Sequence, residues 1–387
     1  MARRILIIMS LFMTFLVNAQ DRPDFVTADS VTYSYYLQGK WDSLIRMGTE
    51  MISENVDYKY LRQRLGYAFF AKEDYTAAKK NFRKALKYDS YNAFTNEYLF
   101  YSFLNTGKVE HAGWVESRMD ADLALKAGVT RSKLIDAIDA EFNYKASGSS
   151  LRTGALYYRF GLGTKLGWRL RLYQCFSEYN QTVTLLSSAK FGIRQAGYYA
   201  RLGWNVSRFT VLTGAYHLVR VAGKGNRVFN GHLFLAGLSP DLNRFIFETN
   251  ASLFRYEKDN SLQMDIHAGY IFPGSSAFYL KATGAIIRNS STTLVTGISA
   301  GSRVSRKTWL DMDFLTGNMD RYNDFRGIYV YNSYDPLIMR SGATLNFNAG
   351  SRVALWINFS LERKKYYEDF NYRYNQYSYL AGIRWKI

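Results

Sequence analysis

Side-chain chemistry in this chain of 387 residues rests on few groups: four histidines, one cysteine and carboxylates scattered late in the sequence. Asp265 and His267 lie two residues apart, the spacing that puts a base and an orienting acid on one face of an extended strand. His217 and His232 fall near opposite positions across a short connection at 222–226. Asn318, Asp320, Asn323 and Asp324 in the run NMDRYND offer oxygen atoms for calcium. That run lacks the central glycine and the closing bidentate acid of a calcium loop, so it reads as a solvated loop. The histidines have no compact ligand spacing, and neither a metal nor a cofactor is expected. There is no phosphate loop of the GxxxxGK[ST] type, no GxSxG elbow and no HExxH. The single cysteine, Cys175, excludes an internal disulfide framework and a cysteine zinc cluster.

These residues sit in a stretch whose hydrophobic period is two. Tyr377, Tyr379, Ala381, Ile383, Trp385 and Ile387 alternate with Ser378, Leu380, Gly382, Arg384 and Lys386, and Val353 to Leu361 alternate in the same way. Alternation over about ten residues, repeated with aromatic residues near the segment ends, is the pattern of a transmembrane β-barrel. Fourteen such segments lie between 138 and 387, with twelve as the other count. Short connections at 206–207, 239–241, 273–275, 304–305 and 350–351 alternate with longer ones at 177–188, 222–226, 257–261, 318–333 and 365–374. Inward positions by this register include Arg159, Arg169, Arg171, His217, His232, Glu248, Asp265, His267, Lys281, Arg303, Asp311, Asp313, Arg340 and Arg384. Mixed charges of this kind are expected to pair with one another and fill the lumen. Barrel enzymes that resemble the omptin-like proteases or the lipid A deacylases are the catalytic alternative.

Ahead of the barrel the period is helical. YYLQGKWDSLI (35–45), FFAKEDYTAAK (69–79) and FLNTGKVEHAG (103–113) align at intervals of 34 residues, with Trp41, Tyr75 and Val109 in register. Leu65, Gly66, Ala68, Tyr75, Ala77, Ala78, Phe82 and Ala85 resemble the small and large positions of tetratricopeptide repeats, a likeness that implies stacked helix pairs and a partner-binding concave face. Helices are expected at 31–38, 41–53, 58–71, 74–87, 92–105 and 109–126. The repeat analogy puts Arg62, Arg64 and Asn96 on the binding face. The first nineteen residues, with Arg3-Arg4, an apolar run from Ile5 to Val17 and small residues before Gln20, have the layout of a secretory leader.

The fold class is therefore α + β multidomain, an α-solenoid followed by an antiparallel transmembrane barrel of about fourteen strands. The expected division is 1–19 leader, 20–30 linker, 31–137 repeats and 138–387 barrel. The closing LAGIRWKI resembles the terminal assembly signal of outer-membrane barrels, and the whole layout is similar to exopolysaccharide-export porins and surface-lipoprotein assembly modulators. That resemblance implies the outer membrane of a Gram-negative bacterium with the repeats in the periplasm. Expected partners are a periplasmic protein or peptide, outer-membrane lipid and lipopolysaccharide, and an anionic glycan. The leading function is non-enzymatic transport or assembly of envelope cargo, the alternatives being a polysaccharide export pore and a barrel enzyme. The formal charge of +18 divides unevenly, with 31 basic and 16 acidic residues after position 137 against 17 and 16 between 20 and 137. An exported barrel disposes of that excess at lipid headgroups and lumen carboxylates, and nucleic acid drops out as a partner.

Overall fold

The computed structural model describes residues 25–126, 134–223, 227–324, 326–369 and 371–387. The leader expected over 1–19 lies outside the described residues. The chain divides into two compact units, one through Ser102 and the other from Phe103 to Ile387.

The helices are α1 (Phe25–Leu37), α2 (Trp41–Ser53), α3 (Lys59–Ala71), α4 (Tyr75–Ala85), α5 (Ala93–Asn105), α6 (Val109–Glu116) and α7 (Ala121–Lys126). Their starts recur at 25, 59 and 93 and at 41, 75 and 109, an interval of 34 throughout. The turn that ends each odd-numbered helix recurs as well. Gly39, Glu73 and Gly107 all take left-handed backbone, with φ of 66°, 62° and 69°. Lys40, Asp74 and Lys108 each donate to the carbonyl five residues back, at 3.0, 2.9 and 2.9 Å. In the first unit Ala28, Met51, Leu61 and Leu65 form the core. Gly66 lets two helices approach, because a Cβ there would stand 2.6 Å from Phe82 Cε1. Helix α1 starts at Phe25, inside the expected linker, since Ala28 is part of that core. The helix expected over 109–126 is two helices, and Asp120 caps the second by accepting from Leu123 N at 2.7 Å.

The strands are β1 (Ile135–Ser147), β2 (Ala155–Lys165), β3 (Leu170–Thr184), β4 (Lys190–Ser207), β5 (Thr210–Ala222), β6 (Val228–Pro240), β7 (Phe245–Tyr256), β8 (Asp259–Ile271), β9 (Tyr279–Arg288), β10 (Thr292–Arg303), β11 (Thr308–Gly317), β12 (Asn323–Asp324), β13 (Tyr329–Val330), β14 (Leu337–Ala349), β15 (Val353–Lys365) and β16 (Arg373–Lys386). All but β12 and β13 form one closed antiparallel barrel of fourteen strands, with β1 paired to β16. The two short strands pair with each other.

Alternation along the strands produces an inverted burial pattern. Phe142, Phe160, Phe176, Met264 and Ile357 are 51%, 63%, 65%, 59% and 58% exposed, whereas the inward Asp139, Glu141 and Asp265 are 2%, 5% and 5% exposed. Apolar side chains outside and carboxylates inside suit a barrel whose surroundings are hydrocarbon, so this is a transmembrane β-barrel. Trp204 and Trp385 stand outward near one end, Tyr144 and Tyr377 near the other, as girdles at two interfaces.

Three expectations about connections need correction. Strands β2 and β3 lie several residues later than expected, because the turn between them is 166–169, with Gly167 at φ 103°. Strand β3 continues through Thr184, covering most of the loop expected at 177–188. The connection expected at 257–261 is a two-residue turn in which Tyr256 pairs with Asp259.

Candidate functional site

The lumen is a network of matched charges. Glu141 on β1 accepts from Arg159 Nη2 at 3.0 Å, Tyr329 OH at 2.6 Å and Trp356 Nε1 at 3.2 Å. Asp139, two residues before it and therefore on the same face, accepts from Tyr173 OH at 2.9 Å and Arg384 Nη2 at 3.0 Å. Further round the wall Arg340 Nη2 reaches Asp313 at 2.9 Å, and Asp311 accepts from Tyr279 OH, Trp309 Nε1 and Asn346 Nδ2 at 2.8, 2.7 and 3.0 Å. Arg171 pairs with Asp136. A buried charge survives only when it is paired and hydrogen-bonded, which accounts for this pairing, in which some groups hold two partners: Arg340 also meets Asp324 at 3.1 Å.

The connection between β11 and β14 does not project outward. Residues 318–324 and 326–336 turn into the lumen and cross it. Asn323 donates to Ser252 Oγ at 2.7 Å and to Gln263 Oε1 at 3.0 Å. Arg326 grips Glu248 with two bonds of 2.7 and 2.8 Å. Its carbonyl accepts from Tyr199 OH at 2.9 Å, and the Gly327 carbonyl meets His217 Nδ1 at 2.9 Å. Tyr329 then reaches Glu141 on the opposite wall. Two apolar seams hold the segment's flanks: Met319 and Tyr322 pack with Ile287, Val295 and Leu337, and Val330 packs on Val219, Leu233 and Phe254. Gly327 is required at the crossing, with φ of 83° and only 2.6 Å from the place of its Cβ to Leu233 Cδ2. The solvated loop expected here is therefore an internal one. Its polar residues face a polar lumen instead of water.

Helix α6 occupies the mouth through which the chain enters the barrel. Glu110 sends its carboxylate to Arg201 Nη1 at 3.3 Å, and Asn205 donates to the Glu110 carbonyl. Glu116 pairs with Lys165 on β2. Burial pushes the Glu110 carboxyl up, but Arg201, Arg326 and Arg171 outweigh it and bring it down to about 2. The Arg326 guanidinium at the tip of the internal segment and the glutamate of α6 thus sense one electrostatic field. Between these obstructions and the wall remains a cavity of about 820 Å³, lined in part by Arg159, Arg201, Glu248, His267, Lys281 and Arg384.

Arg159, Arg171, His217, Glu248, Asp265, His267, Lys281, Asp311, Asp313, Arg340 and Arg384 occupy inward strand positions, and two of the residues expected with them do not. Arg169 lies in the β2–β3 turn, exposed, with its guanidinium over the Trp168 ring. His232 faces outward, bonded to Tyr216 OH at 2.9 Å beside the exposed Phe234. The register sets His217 opposite Leu233 and Leu218 opposite His232, so the two histidines fall on different faces.

His267 does meet Asp265, Nε2 to Oδ2 at 3.1 Å, while its Nδ1 lies 2.9 Å from Thr283 Oγ1. Hydroxyl, imidazole and carboxylate in a row are the parts of an acyl-transfer triad. Thr283, however, sits mid-strand, paired with His267 and Gly297, where ladder pairing occupies the backbone donors an oxyanion would need. Among the described residues no group of three or more His, Cys, Asp or Glu stands where it could hold a metal.

Of the residues placed on the partner-binding face, two are internal. Arg62 is 7% exposed, forked onto Asp57 at 2.7 and 2.7 Å and bonded to Asn81. That fork holds the Asp57 carboxyl below its ordinary range. Asn96 is fully buried and donates to the carbonyls of Ser90 and Asn92. Arg64 is tied to Asp29 at 2.8 Å. Arg62 joins α3 to Asn81 on α4 and Arg64 joins α3 to Asp29 on α1, whereas the Asn96 amide bonds the turn that leads into its own helix; their spacing distinguishes none of these roles from exposure.

No family model matches the chain, and no curated protein does. Among solved structures, a bacterial polysaccharide outer membrane secretin is similar at 9% identity and a TM-score of 0.41, covering 66% of this chain and 99% of its own. The CymD monoaromatic hydrocarbon channel is similar at 8% identity and a TM-score of 0.45, covering 67% and 90%. The Acinetobacter baumannii outer membrane protein Omp33 is similar at 8% identity and a TM-score of 0.37, covering 66% and 99%.

Proposed function

We propose that this is a non-enzymatic outer-membrane barrel protein of a Gram-negative bacterium, in which periplasmic tetratricopeptide-like repeats recruit a protein or peptide partner and the barrel moves or assembles envelope cargo. The observation that carries the reading is the double obstruction of the lumen. A segment bonded to the far wall by Arg326 and Tyr329, and a helix pinned in the mouth by Glu110, make the resting barrel a restricted passage. Passage then requires displacement of one of them. Helix α6 is the last of the helices recurring at 34-residue intervals, so it belongs in sequence to the repeats and in position to the mouth. The leader-like first nineteen residues support export, and the more extended connections at the other mouth support a periplasmic side for the helices.

The alternative of an export pore for an acidic polysaccharide rested on inward arginines. Arg159, Arg326, Arg340 and Arg384 are each held by a carboxylate, and so offer little to an anionic chain. The barrel-enzyme alternative lacks an oxyanion site at Thr283. The test is twofold. Planar-bilayer conductance of the intact chain is expected to be low and to rise when 318–336 is replaced by a short Gly-Ser linker. Pull-down from periplasmic extract is expected to lose partners when residues 25–102 are removed. Unchanged conductance and an identical partner list would overturn the reading.

A further inference from the structure

We propose that the outward face of β15 and β16, at the end away from α6, binds the phosphate groups of a lipid A-type glycolipid. Strand alternation sets Ile357 and Phe359 of β15 and Tyr377 and Tyr379 of β16 outward as an exposed apolar platform, with the Phe359 ring 5.4 Å from Tyr379 and stacked on Tyr377 at 6.5 Å. Beyond Leu361 on β15 and Asn375 on β16 the outward positions toward that end become cationic, with Arg363 and Lys365 on β15 and Arg373 on β16. The register is continuous there and places Lys365 directly opposite Arg373, with Arg363 opposite Asn375.

Like charges directly opposite on one face of a sheet repel, an arrangement that costs stability unless an anion lies between them. No carboxylate of the described residues pairs with Arg363, Lys365 or Arg373. The acids of the adjoining turn are engaged elsewhere: Glu368 accepts from Leu186 N at 2.7 Å and reaches Arg152 at 3.5 Å, and Asp369 accepts from Asn371 N at 3.0 Å. Glu362, the residue before Arg363, points inward to Lys145 at 2.5 Å. Arg220, Arg255 and Arg288 stand outward and exposed near the same ends of β5, β7 and β9, so the trio is the densest part of a basic collar.

Height identifies the ligand. Trp385, opposite Val353, marks the girdle at the helix-side interface. Ten residues separate Val353 from Arg363 on β15. At about 3.3 Å of rise and a tilt of roughly 40° they span about 25 Å, the height of a barrel's apolar band. The cations therefore stand at the opposite headgroup layer, with acyl chains alongside the aromatic platform below. Phosphate monoesters carry about −1.5 to −2 charge and match guanidinium bidentately. The choice of a phosphorylated glycolipid over a phospholipid rests on the outer-membrane reading above, which assigns this end to the outer leaflet.

The experiment uses the full chain in detergent, with native mass spectrometry against four probes: bisphosphorylated lipid A, the same lipid dephosphorylated, phosphatidylglycerol and inorganic phosphate. Wild type should retain bisphosphorylated lipid A at least tenfold better than the other three. The variant R363Q/K365Q/R373Q should lose that preference, R363K/K365R/R373K should keep it, and R169Q/R208Q/R352Q at the opposite mouth should behave as wild type. Equal retention by the first variant, or equal binding of the dephosphorylated lipid, overturns the proposal. Equal binding of inorganic phosphate or of phosphatidylglycerol also overturns it, leaving a free-anion or general lipid site. Should the first variant not fold, the wild-type comparison of phosphorylated with dephosphorylated lipid decides. Insertion into planar bilayers is scored separately: insertion without lipid preference defeats this proposal alone, whereas failure to insert defeats the membrane reading too.

Discussion

Replacing Glu110 with Gln tests whether charge holds α6 in the barrel mouth. The carboxyl stands at about 2 against an ordinary 4.5, a depression that corresponds to roughly 3 kcal/mol in favour of the carboxylate. The Gln side chain keeps the shape and can still accept from Arg201, so the loss is the charge-assisted part of the bond, about 1–3 kcal/mol. The ratio of docked to released helix should therefore fall by roughly 10- to 100-fold. Arg201→Gln should act in the same direction, more weakly, because Arg326 and Arg171 still attract the glutamate. The sign with pH follows from the depressed carboxyl. Its contribution is complete above 4.5, fades as pH falls toward about 2, and is flat between pH 6 and 8.

Hydrogen exchange of the α6 amides reads the opening directly, and bilayer conductance reads its consequence. Faster exchange confined to α6, together with more frequent open events, is the expected result. If E110Q and R201Q both exchange as slowly as the parent, the helix is held by its packing and by the Asn205 bond to the Glu110 carbonyl. The electrostatic latch would then be refuted.

Gly327→Ala combines a left-handed backbone with the 2.6 Å approach to Leu233; displacement of the internal segment at a cost of about 2–4 kcal/mol is expected, seen as raised conductance and a lower melting temperature. Gly66→Ala drives a methyl into Phe82, and a loss of about 1–3 kcal/mol should appear in the helical far-UV signal while the barrel signal holds. Arg62→Ala leaves Asp57 and Asn81 without their partner and should cost about 2 kcal/mol in the same signal. Replacing His232 and His267 together, with the His217 anchor of the internal segment left in place, should leave cellular phenotype and lipid profile unchanged; a change in either would reopen the enzyme reading.

The barrel was legible because a lumen and a lipid phase impose opposite demands on alternate residues, and that period survives along most of the fourteen barrel strands. The ends of β3 were not, because Ser177 and Gln181 face a polar lumen while Glu178 and Asn180 face outward at headgroup height. A strand polar on both faces looks like a loop. Residues 318–336 failed for the same reason. Hydropathy separates oil from water but not water from a polar lumen, and the one distinguishing signal is the density of Tyr322, Tyr329 and Tyr331 around Gly327. His232 was misplaced by parity alone, since one residue of difference across 223–227 exchanges the faces. The repeat analogy puts Arg62 and Asn96 on the binding face, yet Arg62 is spent on Asp57 and on Asn81 of the neighbouring helix, and Asn96 on the turn ahead of α5.

The excess positive charge can now be located by its partners. Inside the barrel each arginine of the network has a carboxylate: Arg159 with Glu141, Arg171 with Asp136, Arg326 with Glu248, Arg340 with Asp313, Arg384 with Asp139. Such pairing contributes almost nothing to net charge, so the 31 basic and 16 acidic residues after position 137 must be unbalanced elsewhere. The imbalance is at the two rims, in the turns that carry Arg169, Arg208 and Arg352 and on the outward strand ends that carry Arg220, Arg255, Arg288, Arg363 and Arg373. A charge distribution of that form acts on what surrounds the barrel, because a neutralised lumen exerts little long-range pull on an ion in solution. Under the proposed function, selectivity of passage then comes from the geometry of the internal segment and of α6, and the basic residues seat the barrel between two headgroup layers.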